Sequence, residues 1–275
     1  MDILTSCLLV LFWVAVWYVG AWATHRRSGS WPPSKVESEN SPFWGACVVM
    51  STVNAFVCTA ICVPALAQLL FAPHAAQFKH RPSYAFCSGG PATGFDFTID
   101  AVAFCGQSFI IRLALDAVLQ LIHNILTVEE ALHHAVFFAA GWLIRSNCVL
   151  PLNAAFLMAM EVSTPFLNYY LFFRGRYPFR NDVNAAKTAF GVLFLVFRMI
   201  LNTYGAVILV KAYLGQTAGM PRSMPCWQQV TVVVLVVAGA CLQIYWGARI
   251  VQGLLRIKRE KKEAHSEPML ADGHH

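Results

Sequence analysis

The constraint that dominates this chain is a series of long apolar runs without charge. The first, Ile3 to Ala23, holds no ionisable side chain and no Pro. A helix of about 20 such residues crosses the ~30 Å hydrocarbon layer of a bilayer. Similar runs recur at about Trp44–Phe71, Thr98–Leu126, Val128–Asn147, Pro151–Phe173, Ala185–Tyr213 and Cys226–Leu255. Only 12% of the 275 residues are charged and 57% are hydrophobic. A soluble domain carries about 25% charge, so composition excludes a soluble enzyme, a nucleic-acid-binding domain and a disordered chain. The expected fold is all-α, a polytopic transmembrane helix bundle of about seven spans.

The segment before the first run has Asp2 and no Lys or Arg, and the run is longer than a signal-peptide core. A retained anchor is therefore the expectation. The organisation reads as an N-terminal anchor and linker (1–43), a main membrane domain (44–258) and a basic, disordered tail (259–275). Thr127 stands three residues before Glu130, the spacing of a capping box. The third and fourth helices should thus form a tight antiparallel hairpin.

Seven spans place the termini on opposite sides. Arg26, Arg27, Lys35, Arg174, Arg176, Arg180 and Lys187 then share a side with the Lys- and Arg-rich tail. Fewer basic residues, such as Lys79, Arg81 and Arg222, fall opposite. The positive-inside rule makes the richer side cytosolic and predicts a cytosolic C-terminus. The nine Cys show no C-x-x-C and no zinc spacing. Cys58 and Cys62 read as small apolar residues within a span. Cys87, Cys148 and Cys226 leave room for one disulfide on the other side.

Ionisable groups at membrane depth are costly and face a bundle interior or a cavity. Arg112, Asp116, Gln120 and His123 fall within a stripe of about 80° on the third helix. Two readings stand for them: a buried Arg112–Asp116 ion pair that locks helices together, or the wall of a substrate cavity. Asn153, Glu161, Thr164 and Asn168 form a similar stripe on the fifth helix. Glu161 lies near mid-membrane and must either stay protonated or meet a cation, with Arg112 or His134 as candidates. Arg198 and Asn202 are four apart on the sixth helix. His133 and His134 follow Glu129 and Glu130. Either His could serve as a general base or nucleophile, with Asp116 as the orienting acid. No two His are four apart on a helix as a zinc helix requires, so no metal is expected. Together these residues predict one polar pocket for a lipid headgroup, with the tails between helices.

The motifs IRLALDAVLQLIH around Asp116, EEALHHAVFF and MEVSTPFLNYYLFF resemble the TLC-domain family, the membrane domain shared with ceramide synthases. Order and spacing match over about 96–175, and the helix count over 44–258, giving a six-helix TLC-type bundle after the anchor. The resemblance implies a role in lipid homeostasis, in the endoplasmic reticulum first and the plasma membrane second. Ceramide synthases of the family transfer an acyl group from CoA to a sphingoid amine, and His133 and His134 match their catalytic pair. The chain carries Met160-Glu161 and Val162-Ser163-Thr164 where they carry an His-Asp and a further Asp. This departure favours a protein that binds or senses lipids. An acyltransferase, with acyl-CoA as co-substrate, and a transporter are the alternatives. A retinal protein or receptor does not fit, because the last span has no internal Lys and D-R-Y and N-P-x-x-Y are missing. The expected partners are membrane lipids, with a second copy or another membrane protein left open. No nucleic acid and no resident cofactor are expected.

Overall fold

The structure is a computed structural model and describes residues 3–71, 94–147, 150–177, 180–216, 220 and 224–266. Every regular element among them is helical. The helices are α1 (Ile3–Arg27), α2 (Pro42–Phe71), α3 (Gly94–Ile122), α4 (Val128–Ser146), α5 (Pro151–Ala159), α6 (Thr164–Arg174), α7 (Asn181–Leu193), α8 (Asn202–Tyr213) and α9 (Cys226–Ser266). A 3₁₀ turn, Met160–Ser163, joins α5 to α6, and a π-helical segment, Phe194–Leu201, joins α7 to α8.

Five stretches are long and apolar enough to cross a membrane: α1, α2, α3, the run from α7 through α8, and α9. The other two candidates fall short for different reasons. α4 carries Glu129, Glu130 and Arg145, and the α5–α6 stack is broken by its 3₁₀ turn. The bundle is thus an all-α transmembrane assembly.

Local chemistry sets the helix ends. α3 stops at Ile122, four residues before the expected Leu126, because Asn124 adopts a left-handed φ of 53°. Ile125 N–H then donates to the Gln120 carbonyl and Asn124 N–H to that of Leu121. This double bond pattern closes a helix C-terminus, and Asn tolerates the required conformation. Gly215, φ 70°, ends α8 in the same way. The expected capping box opens α4: Thr127 Oγ1 accepts from Glu130 N–H, and Glu130 Oε2 accepts from Thr127 N–H. The α3–α4 hairpin is therefore fixed at both corners. α9 continues as helix to Ser266, past residue 259 where disorder was expected. Its sequence there, Arg-Glu-Lys-Lys-Glu-Ala, consists of strong helix formers.

α1 packs into the bundle against α2 and α3. Trp13 and Trp17 are fully buried, and Trp13 Nε1 donates to Ser108 Oγ at 3.1 Å. Close approach of α1 and α2 depends on small residues. A Cβ on Gly45 would lie 2.5 Å from Thr24 Oγ1. Without a hydrophobic force between helices in lipid, such close packing supplies the association energy. A second core joins α2, α3, α5, α8 and α9 around Leu69, Ile99, Ala155, Leu209 and Val232.

Contacts between loops sort the bundle into two ends. At one end Arg176 donates to the carbonyls of Pro32 and Glu39, each at 2.9 Å, and Arg174 meets Glu39 at 3.5 Å. The basic α1–α2 and α6–α7 loops thus lie together. At the other end Asn147 donates to Gln228 at 2.7 Å, and Thr98 donates to Gln68.

Candidate functional site

The predicted polar residues divide into separate groups. The first lies between α3 and α4. Asp116 Oδ2 accepts from Arg112 Nη2 at 3.0 Å and meets His134 Nε2 at 3.3 Å. All three side chains are buried. The i,i+4 pairing on α3 is the one expected, and it brings His134 of α4 onto the same carboxylate. Arg112 Nε, Asp116 Oδ1, Gln120 Oε1 and His134 Nδ1 have no hydrogen-bond partner among the described residues. His133 points elsewhere, against the Phe137 ring at 4.6 Å between centroids. It remains within electrostatic reach of Arg112, Asp116 and Arg198.

The second group forms where two helix irregularities face each other. Pro165 has no N–H to offer the Glu161 carbonyl, so an α-helical bond is lost there. The chain tightens to 3₁₀, and Thr164 N–H donates to the Glu161 carbonyl instead. The Met160 carbonyl loses its α-helical donor and accepts from the Ser163 hydroxyl at 3.2 Å. Arg198, on the π segment, donates Nε to it at 3.2 Å and to Ser163 Oγ at 2.9 Å. Its Nη2 donates to Thr164 Oγ1 at 2.7 Å. Glu161 Oε1 lies 3.8 Å from the same nitrogen. π segments commonly mark functional positions, and this one aims an Arg at a broken helix. The partner of Glu161 is therefore Arg198, not Arg112 or His134. Arg112 and His134 are both committed to Asp116, a choice that the rotation of α3 relative to α5 decides.

The other predicted residues serve local packing. His123 stacks on Phe43 at 3.6 Å and lies parallel to Trp17 at 6.3 Å, at the end of α3. Asn153 donates to the Gly205 carbonyl at 3.1 Å, and Asn202 is buried beside a cavity of about 40 Å³ that Gln243 also lines. Asn168 donates to Thr52 Oγ1 at 2.9 Å and to the Val48 carbonyl at 3.4 Å. The single polar pocket expected from the sequence is thus not formed. The charges pair across helices, and the open space lies elsewhere.

That space is a cavity of about 1250 Å³ between α1, α2, α6 and α7. Its walls are mainly apolar: Val48, Val49, Phe56, Val162, Phe166 and the Ala185, Ala186 and Ala189 face of α7. Of the predicted site residues only Asn168 lines it. Ordinary small-molecule sites measure ~300–1,000 Å³ and are mostly apolar with a few polar groups. Sequence reasoning missed this site because its residues look like any lipid-facing surface. The one available signal was the concentration of small residues on α7.

Three Cys also gather unannounced. Cys58, Cys62 and Cys105 share a buried cluster with Met158, and Cys58 Sγ lies 3.5 Å from Cys105 Sγ. No group of three His, Cys, Asp or Glu is placed to hold a metal ion among the described residues. Cys226 is free and exposed, while Cys87 and Cys148 lie outside the described residues.

Neither the curated proteins nor the solved structures hold a match to the chain. A family model does match, the TLC domain, over residues 3–252. The match takes in α1 and the linker, which the sequence reading set outside the domain, in keeping with the burial of Trp13 and Trp17. By this match over most of its length, and by its helical bundle, the chain belongs to the TLC-domain family.

Proposed function

We propose that this multi-pass membrane protein binds or senses membrane lipids and contributes to lipid homeostasis. The observation that carries the reading is the cavity of about 1250 Å³, apolar along its walls and bordered by Arg26, Arg27 and Asp182 at one end. An amphiphile needs that distribution, with chains against apolar side chains and a headgroup near charge. The endoplasmic reticulum, with the C-terminus cytosolic, is the expected setting. The basic α1–α2 and α6–α7 loops at the same end as the cavity's charges support that orientation.

Filling the cavity tests the reading. Ala189 lines it from α7. Ala189→Trp in the purified full chain should remove most lipid that co-purifies with the wild type, measured by mass spectrometry of extracted lipid. Equal lipid in both proteins would overturn the assignment.

A second reading is acyl transfer from CoA to a sphingoid base, and the Asp116–His134 contact of 3.3 Å favours it. That contact would orient His134 as a general base. Labelled acyl-CoA and a sphingoid base would then give a product with the wild type and none with His134→Ala. Turnover that vanishes in this variant would establish a transferase in place of a lipid sensor. Lipid binding without product would exclude it.

A further inference from the structure

The cavity has a direction. Along α2 its lining runs from Val48 to Thr59, about 16 Å of helix at 1.5 Å per residue. Along the α5–α6 stack it runs from Val162 to Phe173, the same depth. Half of a ~30 Å hydrocarbon layer is of that order. The cavity thus spans one leaflet and not the whole membrane. One end of its lining, the mouth toward the loops, carries Trp22, Trp31 and Tyr169 and lies where the basic loops meet. Trp and Tyr concentrate at headgroup level in membrane proteins. Depth and aromatic residues both put this mouth at the interface.

Charge at the mouth is unbalanced. Its acidic lining residue, Asp182, is already engaged: Arg180 donates to both carboxylate oxygens at 3.0 and 2.9 Å, and Tyr169 OH donates at 2.6 Å. Arg26 and Arg27 line the same mouth, and neither has an acidic partner among the described residues. Arg26 is held over the Trp22 ring, with Cζ 5.3 Å from the centroid. Of the other cations nearby, Arg174 faces Glu39, Arg176 donates to two carbonyls, and Lys35 and Lys187 are not among the cavity's lining residues. Two exposed guanidinium groups above an apolar slot of single-leaflet depth are left for an anion. Guanidinium pairs with phosphate by two parallel hydrogen bonds, which gives this contact both energy and geometry.

We propose that the cavity selects an anionic phospholipid from the leaflet on the basic side, its phosphate against Arg26 and Arg27 and an acyl chain between α2 and α7. This rests on the lipid-binding reading and adds charge selectivity to it. The site is separate from the Asp116–His134 contact, because neither of those residues lines the cavity.

Photoactivatable phosphatidic acid and phosphatidylcholine with identical chains, offered to the full chain in phosphatidylcholine vesicles, test it. An attraction on the order of that measured for interfacial Lys and Arg predicts about tenfold more labelling by phosphatidic acid. Arg26→Gln with Arg27→Gln should erase that preference and leave phosphatidylcholine labelling unchanged. Arg26→Lys with Arg27→Lys should keep only part of it, because an ammonium keeps the charge and loses the paired hydrogen bonds. Equal labelling by the two lipids in the wild type, both lost in Ala189→Trp, would overturn the charge selection and leave lipid binding standing. Labelling of neither lipid that responds to Ala189→Trp would overturn lipid binding itself. A preference that persists in the Gln variant would overturn the role of the two Arg. Excess soluble glycerol phosphate should not compete; full competition would make this a free-phosphate site and overturn the lipid part.

Discussion

On α3 and α4, Arg112, Asp116 and His134 are buried, paired and tightly packed. Across the bundle, α1, α2, α6 and α7 border a large volume with few polar groups in its walls. The first region spends charge where there is no room, and the second leaves room where there is little charge. Buried ions in a membrane need not mark the ligand. Here Asp116 pairs with Arg112 and ties α3 to α4 through His134, while the ligand-sized space lies among apolar side chains away from them.

Mutation can break this contrast most strongly at Asp116. Asp116→Ala strips Arg112 of its buried counter-ion, and breaking such a pair costs about 3–5 kcal/mol. Thermal unfolding of the protein in lipid nanodiscs should show this loss. A variant as stable as the wild type would mean that the cluster is open to water and belongs with the cavity after all. Arg198→Met comes next. It removes three hydrogen bonds and leaves Glu161 without its cation, an expected loss of about 2–3 kcal/mol in the same measurement. Arg198→Lys should recover only part, because an ammonium cannot reach three oxygens with the geometry of a fork. Asn168→Ala sharpens the boundary between the regions, since Asn168 both lines the cavity and ties α6 to α2. Hydrogen bonds between membrane helices average about 0.6 kcal/mol, so stability should fall by about that much. Ala189→Trp should change stability least, below about 0.5 kcal/mol, while removing bound lipid. A large destabilisation there would mean that the cavity is packed in the native state.

Features local to one helix could be read from the chain. The Thr127–Glu130 capping box and the Arg112–Asp116 pair follow from spacings of three and four. What spacing cannot supply is the rotation of one helix against another. Glu161 needed a cation, but whether Arg112 or Arg198 met it depended on how α3 and the π segment turn about their axes. The same unknown hid the approach of Cys58 to Cys105 and of Asn168 to Thr52. It also hid the cavity, which is a relation among four helices and a property of none. The tendency of Pro165 to break its helix was legible, but the answering π segment was not. Phe194–Leu201 is apolar except for Arg198, and nothing in its composition separates it from ordinary α-helix.

That π segment bears on how the chain tolerates insertion and deletion. A π turn carries more residues per wrap than an α turn, so surplus length is stored there as a wider coil. Deleting one residue between Phe194 and Leu201 would let the helix relax to plain α. Because the wider coil already absorbs the surplus residue, the helix beyond it would keep nearly the same face. Asn202 and Gly205 would stay against α5, where a Cβ on Gly205 would lie 2.8 Å from the Phe156 ring. The same deletion in a plain α stretch would turn everything downstream by about 100°. The π segment thus gives this helix the slack that a loop has.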